Sequence, residues 1–302
     1  MGTYFRVSFR PQQCALTQPQ VVARLDSINV SMSTYLPNSE ISRFNDHTDS
    51  RPVTVTEQFA EVFRVAQRVH QQTGGALDVS VGPLIELWGF GPTKLIGQQA
   101  PEQTALAAAE QAVGMELLVL KERQLQKLQA QVRLDFSALA KGFAVDQLTE
   151  LGLASGCTDL MVDIGGEIRV SGKNSSGQLW RLGIEQPDAN QIGQAQAVLA
   201  ITDLAVATSG DYRNFRVVNG QRVDHVFDPR IPGPALSSVV SATVVHPTAI
   251  YADALATALM VLDVEEGLAL AETLNLAVYL LYLDQDGQLQ VAQSPAILPL
   301  ME

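Results

Sequence analysis

Residues 134–148 read LDFSALAKGFAVDQL, a stretch that begins with the composition of a strand and ends with that of a helix. Asp135 and Lys141 stand at the two ends of a turn made otherwise of small and apolar residues. A solvated loop typically carries more polar side chains, and a buried structural turn has little need of a lysine. We therefore expect a helix from about Ala138 to Leu151 whose first turn does more than connect two elements.

Outside this stretch, strands mostly follow strands, with helices interspersed. Apolar residues three and four positions apart predict helices over about 19–32, 57–72 and 249–262. This order favours an α+β fold, with antiparallel-rich sheets and interspersed helices in a single globular domain over residues 1–302. Two segments rich in turn residues, TYLPNSEISRFN and ALDVSVGPLIELWGFG, are predicted to be a loop and an extended segment.

The bulk composition excludes some classes of function. The formal net charge of -12 opposes non-specific binding to nucleic acid, which depends on Lys and Arg, so no nucleic-acid partner is expected. An anionic substrate would instead need a local cation or a metal ion. Cys14 and Cys157 are too few for a disulfide-rich scaffold or a four-ligand zinc site, and they leave the compartment open. The longest apolar run, residues 274–283, is shorter than the roughly 20 residues of a membrane-spanning helix.

The clearest candidate site lies in YADALATALMVL, residues 251–262. Asp253 and Thr257 are four residues apart, so a helix places them on one face, among alanines that keep the surroundings narrow. One interpretation is structural, with an aspartate favoured by the helix dipole and a threonine bonded to a backbone carbonyl. The other is a hard-oxygen half-site for Mg²⁺, which completes its coordination with water and substrate phosphate.

Three further segments combine functional side chains with turns. HVFDPRIPGP places His225 three residues before an Asp-Pro turn, where it is either a proton-transfer group or a packed histidine. ATSGDYRNF (207–215) and TGGALDVSVGPL (73–84) each suit a binding loop or a simple turn. The sequence contains no P-loop, no dinucleotide-binding glycine motif and no nucleophile elbow.

Eight segments, taken in order along the chain, resemble the ApbE-type FAD:protein FMN transferases, also called flavin transferases. Each is weak alone, but together they run from Met1 to about Leu262, and the hairpin at the end of the chain is in keeping with them. The resemblance implies an ApbE-like globular fold. The segments are MGTYFRV, STYLPNSEISRFN, GGALDVSVGPL, LDFSALAKGFAVDQL, DIGGEIRVSG, ATSGDYRNF, HVFDPR and ADALATALMVL.

The resemblance also implies an activity. Members of the family bind FAD with Mg²⁺ and move its FMN moiety onto a threonine hydroxyl of a partner protein, releasing AMP. The partners are typically redox-complex subunits with a motif close to S/T-G-A-T. Two alternatives stay open at this point. Water could replace the threonine, which would make the protein a Mg²⁺-dependent FAD pyrophosphatase, or the protein could bind FAD without catalysis.

Site residues follow from the motifs that match. The resemblance implies that Asp253, Thr257 and the backbone carbonyl of Ala138 bind Mg²⁺. Asp253 and His225 are the implied catalytic residues, with His225 deprotonating the acceptor threonine or stabilising the transferred phosphoryl group. Relatives often have Gly-Gly-Ile where this chain has Ser137-Ala138-Leu139, which a carbonyl ligand tolerates if the turn needs no positive φ. The implied FAD contacts, with Tyr35 as a stacking ring, are Met1, Tyr35, Ala76, Leu77, Asp78, Asp135, Lys141 and Phe227.

Members of this family are usually exported and often lipid-anchored. The sequence begins at the Met-Gly-Thr motif, without a preceding lipoprotein signal. We therefore expect a periplasmic protein whose full-length precursor is held at the inner membrane by a lipid anchor.

Overall fold

The computed structural model of the chain describes residues 2–10, 14–92, 100–186, 195–210, 215–218, 221–231 and 233–302. The chain forms two compact units. The prediction of a single domain over residues 1–302 stays a prediction. The first unit consists of Met1–Leu25, Lys141–Arg213 and Ser237–Glu302, and the second of Asp26–Ala140 and Asn214–Leu236.

The helices lie largely where the sequence predicts them. A helix with the length and hydropathy of a membrane span does not occur in the described part of the chain. The helices are α1 (Gln18–Met32), α2 (Glu40–Asp46), α3 (Glu57–Gln72), α4 (Gly82–Leu87), α5 (Gln103–Glu110), α6 (Ala140–Ala154), α7 (Ala249–Val261) and α8 (Val264–Thr273).

The named strands pair with their neighbours in antiparallel fashion throughout the described residues. Together with the helices, this confirms the α+β prediction. The strands are β1 (Phe5–Phe9), β2 (Val53–Thr54), β3 (Leu118–Lys121), β4 (Gln124–Lys127), β5 (Leu160–Ile164), β6 (Glu167–Ser171), β7 (Trp180–Glu185), β8 (Ala195–Ile201), β9 (Ala205–Gly210), β10 (Phe215–Val218), β11 (Gln221–Asp224), β12 (Phe227–Asp228), β13 (Gly233–Pro234), β14 (Val239–His246), β15 (Ala277–Leu283) and β16 (Leu289–Gln293).

A seven-stranded sheet of order β1-β5-β6-β9-β14-β15-β16 lies at the centre of the first unit. Helix α7 packs against β9 and β14, and β14 is buried along almost its whole length. An apolar cluster joins the sheet to the separate β7–β8 hairpin, and Val245 of β14 belongs to it. The cluster includes Val170, Leu182, Leu199, Val206, Val245, Tyr279, Leu281 and Ile297.

The second unit contains the β2-β4-β3 sheet, the β10–β11 and β12–β13 hairpins and helices α2 to α5. Its aromatic core fixes the start of the LDFSALAKG stretch. The Phe59 ring lies 4.9 Å from that of Phe136 and 6.4 Å from that of Phe44, measured between ring centroids. The backbone nitrogens of Leu139 and Ala140 then donate to the Phe136 carbonyl, which begins the turn that leads into α6.

Two local predictions were wrong. The TYLPNSEISRFN loop becomes helix α2 from Glu40, because the Ser39 hydroxyl oxygen accepts a hydrogen bond from the Ser42 nitrogen at 3.1 Å and caps the helix. The ALDVSVGPLIELWGFG segment is not extended from Gly82 onward. Helix α4 begins there, with Pro83 in its first turn, where a missing N–H costs nothing.

A disulfide joins Cys14 to Cys157 within the first unit, a pairing that the sequence alone left open. The two Cα atoms are 4.4 Å apart, within the usual range for a disulfide. The Ala15 nitrogen also donates to the Ser155 carbonyl at 2.9 Å, so a hydrogen bond runs beside the covalent link. The chain after β1 is therefore fixed to the chain that follows α6.

Candidate active site

Helix α7 carries the two side chains predicted to bind a metal. Its residues are buried apart from Tyr251 and Thr257, which are half-buried, and its alanines let it lie close to β9 and β14. Asp253 is only 2% exposed. One turn later, Thr257 Oγ1 lies 3.2 Å from Ser209 Oγ on β9. The helix thus presents a carboxylate and a hydroxyl on one face.

Asp146 of α6 fixes the start of α7. The N-cap residue of α7, Thr248, makes no capping hydrogen bond with its side chain. Instead the two carboxylate oxygens of Asp146 accept from the Ala249 and Ile250 nitrogens, each at 2.9 Å, which satisfies N–H groups that have no partner within the helix. Arg169 of β6 donates to the same carboxylate at 2.9 Å. One buried aspartate therefore connects α6, α7 and β6.

The first turn of α6 contacts Asp253 directly. The Gly142 nitrogen donates to Asp253 Oδ2 at 2.9 Å, and Lys141 Nζ lies 3.6 Å from Asp253 Oδ1. A carboxylate is favoured at this place, because the first N–H groups of a helix are unpaired and carry its positive dipole end. A Cβ at Gly142 would lie 2.4 Å from the Ala249 carbonyl oxygen, so only glycine lets the two helices approach this closely.

Glu167, at the start of β6, completes the cluster. The Gly165-Gly166 turn, with φ of 66° and 106°, reverses the chain from β5 and sets Glu167 opposite Ile164. Lys141 Nζ lies 2.5 Å from Glu167 Oε1. Glu167 Oε2 is buried and has no hydrogen-bond partner among the residues that the structure describes.

The electrostatics of this cluster favour an additional positive charge. Burial and the neighbouring Asp253 raise the pKa of Glu167 to about 8. Burial also raises the pKa of Asp253, although Lys141 and the Gly142 N–H act against it. Burial lowers the pKa of Lys141, but the charges of Asp253 and Glu167 outweigh that effect and raise it. Two buried carboxylates thus share one ammonium, and a proton or a further cation stabilises the arrangement.

In the second unit, Asp78 is a structural carboxylate. Its Oδ1 accepts from the Ser80 nitrogen at 2.7 Å and its Oδ2 from the Met115 nitrogen at 3.1 Å. Burial raises the pKa of Asp78, although these hydrogen bonds oppose the rise. His70 Nδ1 lies 2.8 Å from the Leu77 carbonyl oxygen. The hydrogen bonds of the Asp78 carboxylate are therefore made within the protein, and the FAD contact of the Ala76-Leu77-Asp78 run stays a prediction.

Three other predicted residues of the second unit differ in exposure. Phe227 is buried and packs edge-on against the Phe90 ring, at 5.8 Å between centroids. The His225 ring centroid lies 6.5 Å from that of Phe90. Tyr35 is 66% exposed, which suits a ring that awaits a stacking partner. Trp88 joins this aromatic group, with its ring 6.2 Å from that of Phe227.

The turn between Asp135 and Lys141 needs no glycine. The non-glycine residues with positive φ in the described chain are Glu122, Asp203 and Asn275. Ser137, Ala138 and Leu139 therefore have negative φ, so they can replace the Gly-Gly-Ile of relatives without backbone strain. Asp135 Oδ1 accepts from the Ser137 nitrogen at 2.7 Å. Asp135 also lines a cavity in the second unit together with Thr34, Ser42, Asn45, Glu86 and Arg133.

The predicted site residues therefore fall into three groups. Lys141, Asp253 and Thr257 belong to the first unit, where Lys141 lies against Asp253 and Thr257 follows one helical turn later. Met1 and positions 211–214 of ATSGDYRNF lie outside the described residues. The others belong to the second unit, namely Tyr35, Ala76, Leu77, Asp78, Asp135, Ala138, His225 and Phe227.

The first-unit cluster fits a hard divalent cation. Mg²⁺ is usually held by one or two carboxylates together with water and substrate phosphates. Asp253 and Thr257 supply oxygen donors on one helix face. The unpartnered Glu167 Oε2 and the sharing of one ammonium by two carboxylates both favour the approach of a cation.

Sequence reasoning missed three contributors to this site. Glu167 directly follows the Gly165-Gly166 pair at the start of β6, and Asp146 directly follows the apolar run Phe143-Ala144-Val145. A buried charge is expected to be paired, so an acid in either place is a signal for a polar contact inside the fold. The hydroxyl of Ser209 offered no comparable signal, since β9 contains several small polar residues.

Comparison with known proteins gives consistent results. A sequence model described as the ApbE family matches residues 1–280. The FAD:protein FMN transferase of Haemophilus influenzae is 42% identical over 298 residues, covering 95% of this chain and 86% of that protein. The one from Vibrio cholerae is 39% identical over 298 residues, covering 97% of this chain and 89% of that protein.

Solved structures agree with the sequence comparison. The flavin transferase ApbE from Vibrio cholerae superposes with a TM-score of 0.89 at 37% identity, covering 99% of this chain and 96% of that one. The apo form of the Pseudomonas stutzeri flavinyl transferase ApbE gives a TM-score of 0.88 at 30% identity, with 99% and 94% covered. The predicted resemblance is confirmed over nearly the whole chain.

Proposed function

Because the chain belongs to the ApbE family, we propose that it uses Mg²⁺, held by Asp253 and Thr257, to transfer FMN from FAD onto a threonine hydroxyl of a partner protein. The reaction class follows from membership of the family: the chain is a transferase that moves FMN from FAD to a protein. The observation that supports a role for Mg²⁺ in this transfer is the cluster of Asp253, Lys141 and Glu167. It supplies oxygen donors and a fixed ammonium in a protein whose net charge of -12 does not attract an anion.

The residues of this cluster have separate tasks. The Gly142 N–H holds the Asp253 carboxylate in one orientation, and the Thr257 hydroxyl follows one helical turn later on the same face of α7. Lys141 stays charged at neutral pH because its pKa is raised, so it offers a positive charge to the FAD phosphates. A bound Mg²⁺ would neutralise phosphate charge and stabilise the departing AMP.

The transfer itself exchanges the phosphoanhydride bond of FAD for a phosphoester bond to the acceptor. We assign to His225 the acceptance of the proton from the threonine hydroxyl. The threonine oxygen forms a bond to the phosphorus of the FMN half. The bond between that phosphorus and the bridging oxygen of the pyrophosphate breaks, and AMP leaves with the bridging oxygen. Tyr35 and the Ala76-Leu77-Asp78 run are assigned to the binding of FAD.

His225→Ala is expected to lower FMN transfer to an acceptor by about 10²- to 10⁴-fold, the usual contribution of general acid–base catalysis. The Mg²⁺ concentration that gives half-maximal rate is expected to stay unchanged, because His225 is not assigned to the metal. Protein-bound flavin fluorescence measures the transfer. His47→Asn is the control, since His47 pairs with Asp49, which has no assigned part in the chemistry. If the His225 variant transfers FMN as fast as the unmodified protein, His225 does not accept the proton of the threonine.

The pyrophosphatase alternative predicts different products from the same site. Incubation with FAD, Mg²⁺ and an acceptor carrying S/T-G-A-T is expected to give AMP and protein-bound flavin in equal amounts. Chromatography of the small molecules quantifies AMP and FMN. AMP accompanied by an equal amount of free FMN, with none on the acceptor, would instead support hydrolysis.

For location, we propose a periplasmic protein anchored at the inner membrane through a lipid on its precursor. The Cys14–Cys157 disulfide supports export, since such bonds persist mainly in oxidising compartments. Cells lysed in the presence of a thiol-alkylating reagent are expected to yield the protein in the periplasmic or membrane fraction, with both cysteines unalkylated. Recovery from the cytosol with two alkylated cysteines would contradict the proposal.

A further inference from the structure

Glu167 is not among the residues that the resemblance assigns to metal or FAD, yet it makes the shorter of the two contacts of Lys141. The ammonium lies 2.5 Å from Glu167 Oε1 and 3.6 Å from Asp253 Oδ1. The lysine is therefore bound to Glu167, while Asp253 Oδ1 is left without a close ion pair. If Lys141 made a close ion pair with Asp253 Oδ1, its ammonium would compete with a metal ion for that oxygen.

The backbone fixes Glu167 in this position. It follows the Gly165-Gly166 turn immediately and pairs with Ile164 of β5, and Arg169 two residues later is tied to Asp146 of α6. Side chains two apart on a strand point to the same face, so both β6 side chains reach the helices from one side of the sheet. The sheet and not Lys141 therefore determines where the backbone of Glu167 lies.

We propose that Glu167 is a positioning residue for the metal site, which holds the Lys141 ammonium away from Asp253 Oδ1 and keeps that oxygen available to a divalent cation. This inference rests on the proposed function of Asp253. Two effects act in the same direction when Glu167 loses its charge. Lys141 keeps one buried anion as its partner and closes on Asp253, and a carboxyl group that can ionise as the cation binds is lost. Both weaken cation binding.

Glu167→Gln tests this, because glutamine keeps the shape and an acceptor oxygen but not the charge. Mn²⁺ binding to protein without FAD is measured by loss of the free-ion EPR signal. We expect the dissociation constant to rise about 10- to 100-fold, the usual cost of losing a residue that orients a metal ligand. Glu167→Asp keeps the carboxyl group on a shorter side chain. Its dissociation constant for Mn²⁺ is expected to lie between those of the unmodified protein and the Gln variant. The melting temperature of the Gln variant without metal is expected to be no lower than that of the unmodified protein, since a costly buried charge is removed.

Two reference variants separate the possible outcomes. Glu150→Gln removes an acid that also bridges α6 and β6, through Arg169, and should bind Mn²⁺ normally. Asp253→Asn should abolish the binding. If the unmodified protein binds no Mn²⁺, or the Asp253 variant binds it equally well, the metal site and this inference both fail. If Asp253 is required but Glu167→Gln lowers the melting temperature and leaves Mn²⁺ affinity unchanged, Glu167 is structural and this inference alone is overturned.

Discussion

Asp253→Asn is expected to lower Mg²⁺-dependent release of AMP from FAD by about 10²- to 10³-fold, the scale on which the loss of one electrostatic group acts in an active site. The asparagine keeps the side-chain shape, and its carbonyl oxygen can still accept from the Gly142 nitrogen. What is lost is the negative charge that would bind the cation and pair with Lys141. Release of AMP is measured by chromatography over a range of Mg²⁺ concentrations. A higher Mg²⁺ concentration should not restore the rate of the Asp253→Asn variant.

The fold is expected to survive this change. Burial raises the pKa of Asp253, so its charge is unfavourable in the folded state and a neutral side chain relieves that cost. Circular dichroism should show an unchanged melting temperature or a higher one. Asp263→Asn is the matched control, because Asp263 caps α8 through the Glu266 nitrogen and has no assigned part in the chemistry. Normal AMP release by the Asp253 variant would refute the assignment of this residue.

Gly142→Ala is expected to reduce activity about 100-fold, because displacement of a catalytic group by about 1 Å has effects of this size. The new Cβ would lie 2.4 Å from the Ala249 carbonyl oxygen and 2.7 Å from Ile250 Cα, both backbone atoms that cannot rotate away. Helices α6 and α7 must separate, which lengthens the hydrogen bond from the Gly142 nitrogen to Asp253. We also expect a loss of about 1–3 kcal/mol in the free energy of unfolding, as for other overpacked interiors.

Gly267→Ala provides the comparison for this variant. Gly267 also lies in a helix of the first unit, but its Cβ would meet only the end of the Leu259 side chain, at 3.1 Å, and Leu280 at 3.6 Å. Alanine is the better helix former, so this variant should be active and at least as stable. Urea unfolding gives the stabilities, and rates are compared at a temperature where both variants are folded. A Gly142 variant with full activity would show that the close approach of α6 and α7 does not matter.

The sequence was informative where local signals agree with the fold. The helical period and alanine content of 249–262 predicted α7 within one residue at its end, and they placed Asp253 and Thr257 on one face. The hairpin expected at the end of the chain is likewise present as β15–β16, with Asp286-Gly287, a pair typical of tight turns, between its strands. In both cases the pattern lies within a single element, so it can be read without knowing what packs against that element.

What the sequence did not reveal depends on contacts between distant segments. Nothing near Lys141 indicates that its ammonium is shared by Glu167 and Asp253, which come from a strand and a helix far along the chain. The pairing of Cys14 with Cys157 spans 143 residues and has no local signature. The α2 helix was missed for a different reason. Pro37 and Asn38 indicate a turn, and the N-cap residue Ser39 follows them directly, so the turn signal and the helix-start signal adjoin.

The most direct test of the account is the intact mass of an acceptor protein incubated with FAD, Mg²⁺ and this enzyme. An acceptor with the S/T-G-A-T motif is expected to gain the mass of one phosphoester-linked FMN. The same acceptor with its final threonine replaced by alanine should gain nothing, nor should the intact acceptor incubated with the Asp253→Asn variant. An unchanged acceptor mass while FAD is converted to AMP and free FMN would contradict transfer to threonine.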